Sequence, residues 1–167
     1  VNEDAIVEQE KISGIAYSPD EAKLTIQGLP DRPGIAAAIF GTLAENHINV
    51  DMIVQTAASE GQKTDITFSL GRGDLAKALE IIEASRESLG FDGVDAKDDV
   101  TKISVVGMAM RSQPGVARTM FETLAERGIN IEVISTSEIK ISVLIAAEYT
   151  ELAVRSLHTA FRLDAEG

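Results

Sequence analysis

Two Pro-Gly pairs, Pro33-Gly34 and Pro114-Gly115, each stand at the start of a segment with the apolar spacing of a helix. A loop of this kind presents backbone N–H groups at a helix N-terminus, where the partial positive charge favours a carboxylate. Glycine in the second position lets a ligand approach the main chain closely. The pattern predicts a binding place for a small anion, but the same residues also make an ordinary helix start.

Other residues that carry chemistry are sparse. The chain has no cysteine and two histidines, and no cluster of these types with carboxylates has metal-ligand spacing. We expect His47 to be a helix-terminal residue and His158 a surface residue. Residues 71–73 lack the frame of a phosphate loop and indicate a turn. No nucleophile, base and orienting group are spaced for catalysis, so we predict no catalytic residue, metal or cofactor in this chain.

The amino-acid composition limits which classes of protein this chain can belong to. The 167 residues are 44% hydrophobic and 25% charged, which is typical of a folded soluble chain, and no apolar run is long enough to span a membrane. The formal net charge of -12 argues against nucleic-acid binding, which needs clustered Lys and Arg. The absence of cysteine and of a signal-peptide pattern fits a cytoplasmic location.

The two Pro-Gly segments belong to an internal repeat. Aligned without gaps, residues 33–54 and 114–135 share 11 identities in 22 positions. Several shared residues are small or polar, such as Thr42/Thr123 and Asn49/Asn130, and amphipathic spacing alone would not make them recur. The repeat therefore indicates a duplicated structural unit.

The residues around the first Pro-Gly pair predict the elements that hold it. Alternation across residues 22–28 predicts a half-buried strand. A four-residue apolar period predicts a helix with Pro33 in its first position, ending near Asn46. Strands at 48–56 and 64–70, a helix at 75–82 and a closing edge strand at 93–99 follow.

The resulting βαββαβ order predicts an α+β fold, the ferredoxin-like sandwich, with two helices on one face of a four-stranded antiparallel sheet. The second copy follows the same course, with strands at 102–107, 130–137 and 140–146 and helices at 115–127 and 148–161. It ends without a fourth strand. We expect two intertwined units, 21–98 and 99–163, with an N-terminal strand at about 11–18 covering the vacant edge of the second.

Residues 28–55 and 102–145 resemble the paired ACT modules at the C-terminal end of aspartate kinase (aspartokinase). The stretch INIEVISTSEIKISVLI, residues 129–145, is the most specific to that family. The resemblance covers residues 21–163 and implies a regulatory part that binds threonine, lysine or both and feeds these products back onto phosphorylation of aspartate. The motif that opens the family's kinase domain is absent. ATP and Mg are therefore expected only in an aspartate kinase catalytic domain or subunit that acts as the partner.

The resemblance also implies an effector site between the first module of one chain and the second module of another, in a homodimer. Main-chain groups around Gly34 and Ile131 would hold the head group common to amino acids. Asp31 and Glu138 would receive a lysine ammonium, and Gln55 would bond a threonine hydroxyl. The residues implied are Asp31, Arg32, Pro33, Gly34, Ile35, Ala36 and Gln55 from the first module, and Asn130, Ile131, Ser137 and Glu138 from the second.

Other interpretations stay open. Asp31 could be a turn or cap residue, and Glu138 a solvated strand end. The chain could also regulate another amino-acid pathway, like the small subunit of acetolactate synthase or a tandem transcriptional co-regulator, or be a dimerisation module that binds no ligand. It could be a separate regulatory subunit or an excised piece, and the missing initiator Met favours excision or processing.

Overall fold

The computed structural model describes residues 12–57, 63–107 and 114–161. The chain divides into two compact units. The first unit is Asp20–Asp99, and the second unit combines residues 12–19 with residues 100–161. The elements are β1 (Ile12–Pro30), α1 (Ile35–Glu45), β2 (Val50–Ala57), β3 (Lys63–Gly71), α2 (Leu75–Ala84), α3 (Arg86–Leu89), β4 (Gly93–Gly107), α4 (Pro114–Glu126), β5 (Val133–Thr136), β6 (Lys140–Ala146) and α5 (Thr150–Ala160).

Two strands are longer than the sequence pattern predicts. β1 joins the predicted N-terminal strand to the first strand of the first repeat, in 19 residues. β4 joins the predicted strands 93–99 and 102–107, in 15 residues. The prediction of separate strands was wrong, because Pro19 and the charged residues interrupt the alternation while remaining compatible with extended backbone. Both units use residues of β1 and of β4.

The first unit has the strand order β2-β3-β1-β4. β3 pairs antiparallel with β1 on one side and with β2 on the other. α1 and α2 pack on the same face, and the rings of Phe40 and Phe68 meet edge to face at a centroid distance of 5.4 Å. The core joins the strand residues Leu24, Ile26, Ile66, Phe68 and Leu70 to the helix residues Ile35, Ile39, Leu43, Ala78 and Ile82.

The second unit repeats this arrangement with the strand order β1-β4-β6-β5. β6 pairs antiparallel with β4 and with β5. Its core joins Ile103, Val105, Ile141, Val143 and Ile145 to Val116, Met120, Leu124, Ala153 and Leu157 from α4 and α5. The predicted α+β class, two ferredoxin-like units with helices on one face of an antiparallel sheet, is confirmed. Within the described ranges, no helix has the length and apolarity needed to cross a bilayer.

The helix starts differ between the repeats. α1 begins at Ile35, because Gly34 takes a φ of +88° as the N-cap residue. Pro33 therefore lies in the preceding turn, and its predicted place as the first helical residue was wrong. α4 does begin at Pro114. Gly71 ends β3 and Arg72–Asp74 form a single 3₁₀ turn, so the turn predicted at residues 71–73 is confirmed from Arg72 onward.

Candidate functional site

The loop between β1 and α1 is an open turn. The Pro30 carbonyl accepts a hydrogen bond from the Arg32 N–H (3.1 Å), and the Arg32 carbonyl accepts one from the Ile35 N–H (3.3 Å). Gly34 lies in the left-handed region, and a Cβ placed on it would meet no atom of the described residues within 4 Å. The main chain at Gly34 is therefore accessible from solvent.

The N-terminus of α1 keeps unused hydrogen-bond donors. It has no side-chain cap and no acidic residue in its first turn. The Ala38 N–H bonds to the Gly34 carbonyl (3.0 Å), whereas the described residues offer no acceptor to the N–H groups of Ala36 and Ala37. These donors and the helix dipole make a place where a carboxylate would be stabilised.

Three polar side chains of the first unit are available beside this turn or on β2. The Asp31 carboxylate, the Arg32 guanidinium and the Gln55 amide are all exposed. None of them has a hydrogen bond or an ion pair with another residue that the structure describes. They can therefore bind a ligand without first breaking a contact within this part of the chain.

Strand register brings Gln55 to the same end and face of the sheet as the start of α1. β1 and β2 are both antiparallel to β3, so they run parallel to each other, and their last residues both pair with the first two residues of β3. Gln55 pairs with Ile66, which belongs to the core beneath the helices. Because cross-strand partners share a face, Gln55 lies on the helix side of the sheet.

A β-bulge produces this placement of Gln55. Met52 and Ile53 together stand opposite one residue of β3, between the pairs Asp51–Ser69 and Val54–Thr67. Met52 is buried at a φ of +46°, and its N–H bonds to the Asp51 carboxylate (2.9 Å). In a regular strand residues 51 and 55 would share a face, and the extra residue puts them on opposite faces. The sequence pattern missed Met52, because methionine carries no signal for positive φ.

The second unit separates its four candidate residues into two groups. Asn130 and Ile131 precede β5, and Ser137 and Glu138 lie in the hairpin between β5 and β6. The intervening extended residues span roughly 20 Å, so one amino acid cannot contact both groups of the same chain. Asn130 is exposed and without a hydrogen-bond partner among the described residues, and Ile131 is half-buried against the core.

Ser137 stabilises the hairpin between β5 and β6 through hydrogen bonds. The Ser137 N–H bonds to the Lys140 carbonyl (2.8 Å), and the Ser137 hydroxyl accepts from the Lys140 N–H (3.3 Å). The Ile139 carbonyl accepts from the Gly107 N–H (2.7 Å), which ties the hairpin to the end of β4. Glu138 is exposed beside this turn. Ser137 therefore has a structural role whether or not it also contacts a ligand.

The second Pro-Gly pair opens α4, but residues 108–113 before it lie outside the described ranges. On α4 the Arg118 Nε donates a hydrogen bond to Glu122 (2.5 Å), and this bond and the carboxylate charge raise the pKa of the guanidinium. Among the residues that can be placed, no three histidine or carboxylate side chains converge to hold a metal ion.

Comparison with known proteins gives the family. Models of the ACT domain match residues 24–87 and 103–161. The aspartokinase of Pseudomonas aeruginosa is 51% identical over 164 residues, which are 98% of this chain and 40% of that enzyme. The chain thus spans about 40% of the length of the curated aspartate kinases that it matches.

Two solved structures match nearly in full. A structure of aspartokinase alpha and beta subunits is 48% identical, with a TM-score of 0.83. The ligand-free regulatory subunit of aspartate kinase from Thermus thermophilus is 40% identical, with a TM-score of 0.84. Each match covers 90% of this chain and 99% of the other. With its two ACT domains, the chain belongs to the regulatory part of the aspartate kinase family.

Proposed function

We propose that this chain is an amino-acid sensor that binds threonine, lysine or both and thereby controls phosphorylation of aspartate by a kinase part outside the chain. The observation that carries the proposal is the convergence of an uncapped helix start, an open Gly34 main chain and an exposed Gln55 on one end and one face of the first unit. These groups match the carboxylate and the side chain of a small amino acid.

The chemistry of the first unit suits threonine. The N–H groups of Ala36 and Ala37 would bind the carboxylate, and the nearby Arg32 guanidinium adds a charged donor. Asp31 supplies a carboxylate for an ammonium group. The Gln55 amide can exchange a hydrogen bond with a hydroxyl, and an analogue without that hydroxyl would leave the amide unpaired at a cost of about 1 to 3 kcal/mol.

The second unit would complete the site from a neighbouring copy. Asn130 and Ile131 precede β5, and the exposed Asn130 amide and the main chain at Ile131 would close over an amino acid held by the first unit of the partner chain. Ser137 and Glu138 lie too far along β5 to join them. We assign these two to a separate place where Glu138 would bind a lysine ammonium. A structure of E. coli aspartokinase III, 21% identical with a TM-score of 0.67, is a complex with lysine and aspartate.

A site shared between two chains couples effector binding to the association of those chains, and this coupling can regulate the kinase. An effector shifts an equilibrium only as far as it binds one state better than another. Threonine held by two chains favours their symmetric association, and a kinase part attached to that dimer would respond to the change. ATP and Mg would be bound in that kinase part. We place the chain in the cytoplasm, whose reducing conditions suit a protein sequence without cysteine.

Calorimetric titration tests the proposal, with threonine, lysine, methionine and a branched-chain amino acid as separate ligands. Heat of binding with threonine or lysine supports it. A response to the branched-chain amino acid alone would instead indicate a regulator of another amino-acid pathway. No heat of binding with any of the four amino acids would indicate a dimerisation module that binds no ligand.

A further inference from the structure

A second β-bulge lies at the end of β1, just before the turn that leads to α1. The register between β1 and β3 shifts between Ile26 and Leu29. Two residues of β1, Gln27 and Gly28, therefore stand together opposite Asp65 of β3. Gly28 has a φ of +69°, a conformation that glycine adopts without steric cost. The bulge is thus built around a residue that suits it.

This bulge decides on which face of the sheet Leu29 lies. In a regular strand Ile26 and Leu29 would point to opposite faces. The extra residue puts both on the helix side, where both are fully buried in the core of the first unit. Pro30 follows Leu29 directly and opens the turn at residues 30–34, which we call the effector turn. Loss of the bulge would turn Leu29 out of the core and rotate the effector turn with it.

The Asp65 side chain holds the bulge. The Gly28 N–H donates a hydrogen bond to the Asp65 carboxylate at 2.9 Å, in place of the ladder partner that a bulge disrupts. Asp65 is half-buried, and on its other side it pairs with Thr56 of β2, the residue after Gln55. Asp65 therefore lies between the strand that carries the effector turn and the strand that carries Gln55.

A second contact on the bulge is weaker. The Asp92 N–H bonds to the Gln27 carbonyl at 2.8 Å, and the Asp92 carboxylate lies against Gly28 and is paired with Lys63 at 3.1 Å. Both side chains of this ion pair are at least half exposed, so solvent screens their attraction. The half-buried Asp65 carboxylate is the firmer support of the bulge.

We infer that Asp65 is a positioning residue of the effector site. Its carboxylate fixes the Gly28 bulge, and the bulge fixes the effector turn and the N–H groups at the start of α1 relative to the Gln55 amide. Asp65 acts without touching the ligand, because its neighbour Ile66 faces the helices and its own side chain faces the opposite side of the sheet.

The inference rests on the proposed function, in which threonine contacts the start of α1 with its carboxylate and Gln55 with its hydroxyl. A displaced turn would allow one of these contacts and not both. Asp65→Ala should therefore reduce both the affinity for threonine and the preference for threonine over 2-aminobutyrate, which lacks the hydroxyl.

Amide NMR of the full chain without ligand tests the structural step. Asp65→Ala removes the acceptor, whereas Asp65→Asn keeps a side-chain oxygen that accepts from the Gly28 N–H. We expect the Gly28 amide to exchange with solvent roughly 10-fold faster in Asp65→Ala, and the Gly34 amide signal to shift. Asp65→Asn should resemble the original chain. An unchanged Gly34 signal in Asp65→Ala would overturn the inference.

Calorimetric titration with threonine and with 2-aminobutyrate tests the functional step. We expect Asp65→Ala to weaken threonine binding by roughly 10-fold and Asp65→Asn to stay within about threefold of the original chain. Ser104→Ala is the matched control, because it loses a buried hydrogen bond of the second unit and should unfold more easily while binding threonine normally. If Asp65→Ala does not fold, Asp65→Glu, whose carboxylate is displaced by one methylene, replaces it with the same expected direction.

The two ways of failing are distinguishable. Normal threonine affinity and preference in Asp65→Ala would overturn the inference alone, as would equal losses of affinity in Asp65→Ala and Ser104→Ala. An original chain that does not bind threonine would refute the threonine site itself, and the inference with it.

Discussion

His47 and Gly128 have the same left-handed conformation at the same place in the two repeats, with φ of +60° and +71°. Each follows a helix and donates its N–H to the carbonyl three residues earlier, at 3.0 Å in both cases. The predicted role of His47 as a helix-terminal residue is therefore confirmed. Glycine adopts this conformation without the steric cost that a Cβ imposes.

His47→Gly should stabilise the protein, because it removes the strain of a positive φ at a residue with a side chain. We expect the free energy of unfolding to rise by about 0.5 to 1 kcal/mol in urea titrations. Gly128→Ala, the reciprocal change, should lower it by about 1 kcal/mol. A lower midpoint for His47→Gly at an unchanged m-value would contradict the argument.

Two buried serines should respond in opposite ways to alanine. The Ser69 hydroxyl is buried and has no hydrogen-bond partner among the residues that the structure describes, whereas the Ser104 hydroxyl bonds to Ser142 at 2.6 Å. Ser69→Ala removes an unsatisfied group and should leave stability unchanged or higher. Ser104→Ala leaves the buried Ser142 hydroxyl without its hydrogen-bond partner and should lower the free energy of unfolding by about 1 to 2 kcal/mol. Equal losses for the two variants in thermal unfolding would show that Ser69 has a partner in solution.

A side chain at Gly28 should destabilise the protein. Its φ is +69°, and a Cβ there would lie 2.1 Å from an Asp92 carboxylate oxygen. Lys63 holds that carboxylate at 3.1 Å. We expect Gly28→Ala to lower the free energy of unfolding by about 2 kcal/mol. Gly73→Ala is the control, because a Cβ at Gly73 would meet no atom within 4 Å in the part of the chain that the structure describes. Comparable losses in the two variants would refute this explanation.

Asp31 and Gln55 should matter for ligand binding and little for folding, because both are exposed. We expect Asp31→Ala or Gln55→Ala to weaken threonine binding by roughly 10-fold or more in calorimetry. Gln27→Ala removes another exposed glutamine of the first unit and should bind threonine like the original chain. Unchanged threonine affinity in both site variants would remove these residues from the site.

The periodic elements could be predicted from the sequence, and the departures from periodicity could not. β3 and the helices follow apolar spacing, because their buried faces set it, whereas residues 141–145 of β6 are all buried. The continuity of β1 through Pro19 has no such signal. The bulge at Met52 has none either, since the register of β2 depends on its partner strand.

The candidate site was predicted in part. The internal repeat predicted the Pro-Gly loop as a binding place, and the family resemblance predicted Gln55 and Asn130 as ligand-binding residues. Neither could show that Ser137 lies a full strand away from Asn130, because that depends on where β5 turns. The groove lined by Tyr17 and by residues of α5 was not predicted, since it joins the first described strand to the last described helix.

The central claim is that one chain's first unit and another chain's second unit hold the same threonine. Mixing Gln55→Ala chains with Asn130→Ala chains tests it directly, by measuring threonine binding before and after the copies exchange. Each variant alone should bind weakly. Mixed dimers carry one intact site, so the equimolar mixture should regain about a quarter of the original capacity. No recovery after complete exchange would contradict the shared site.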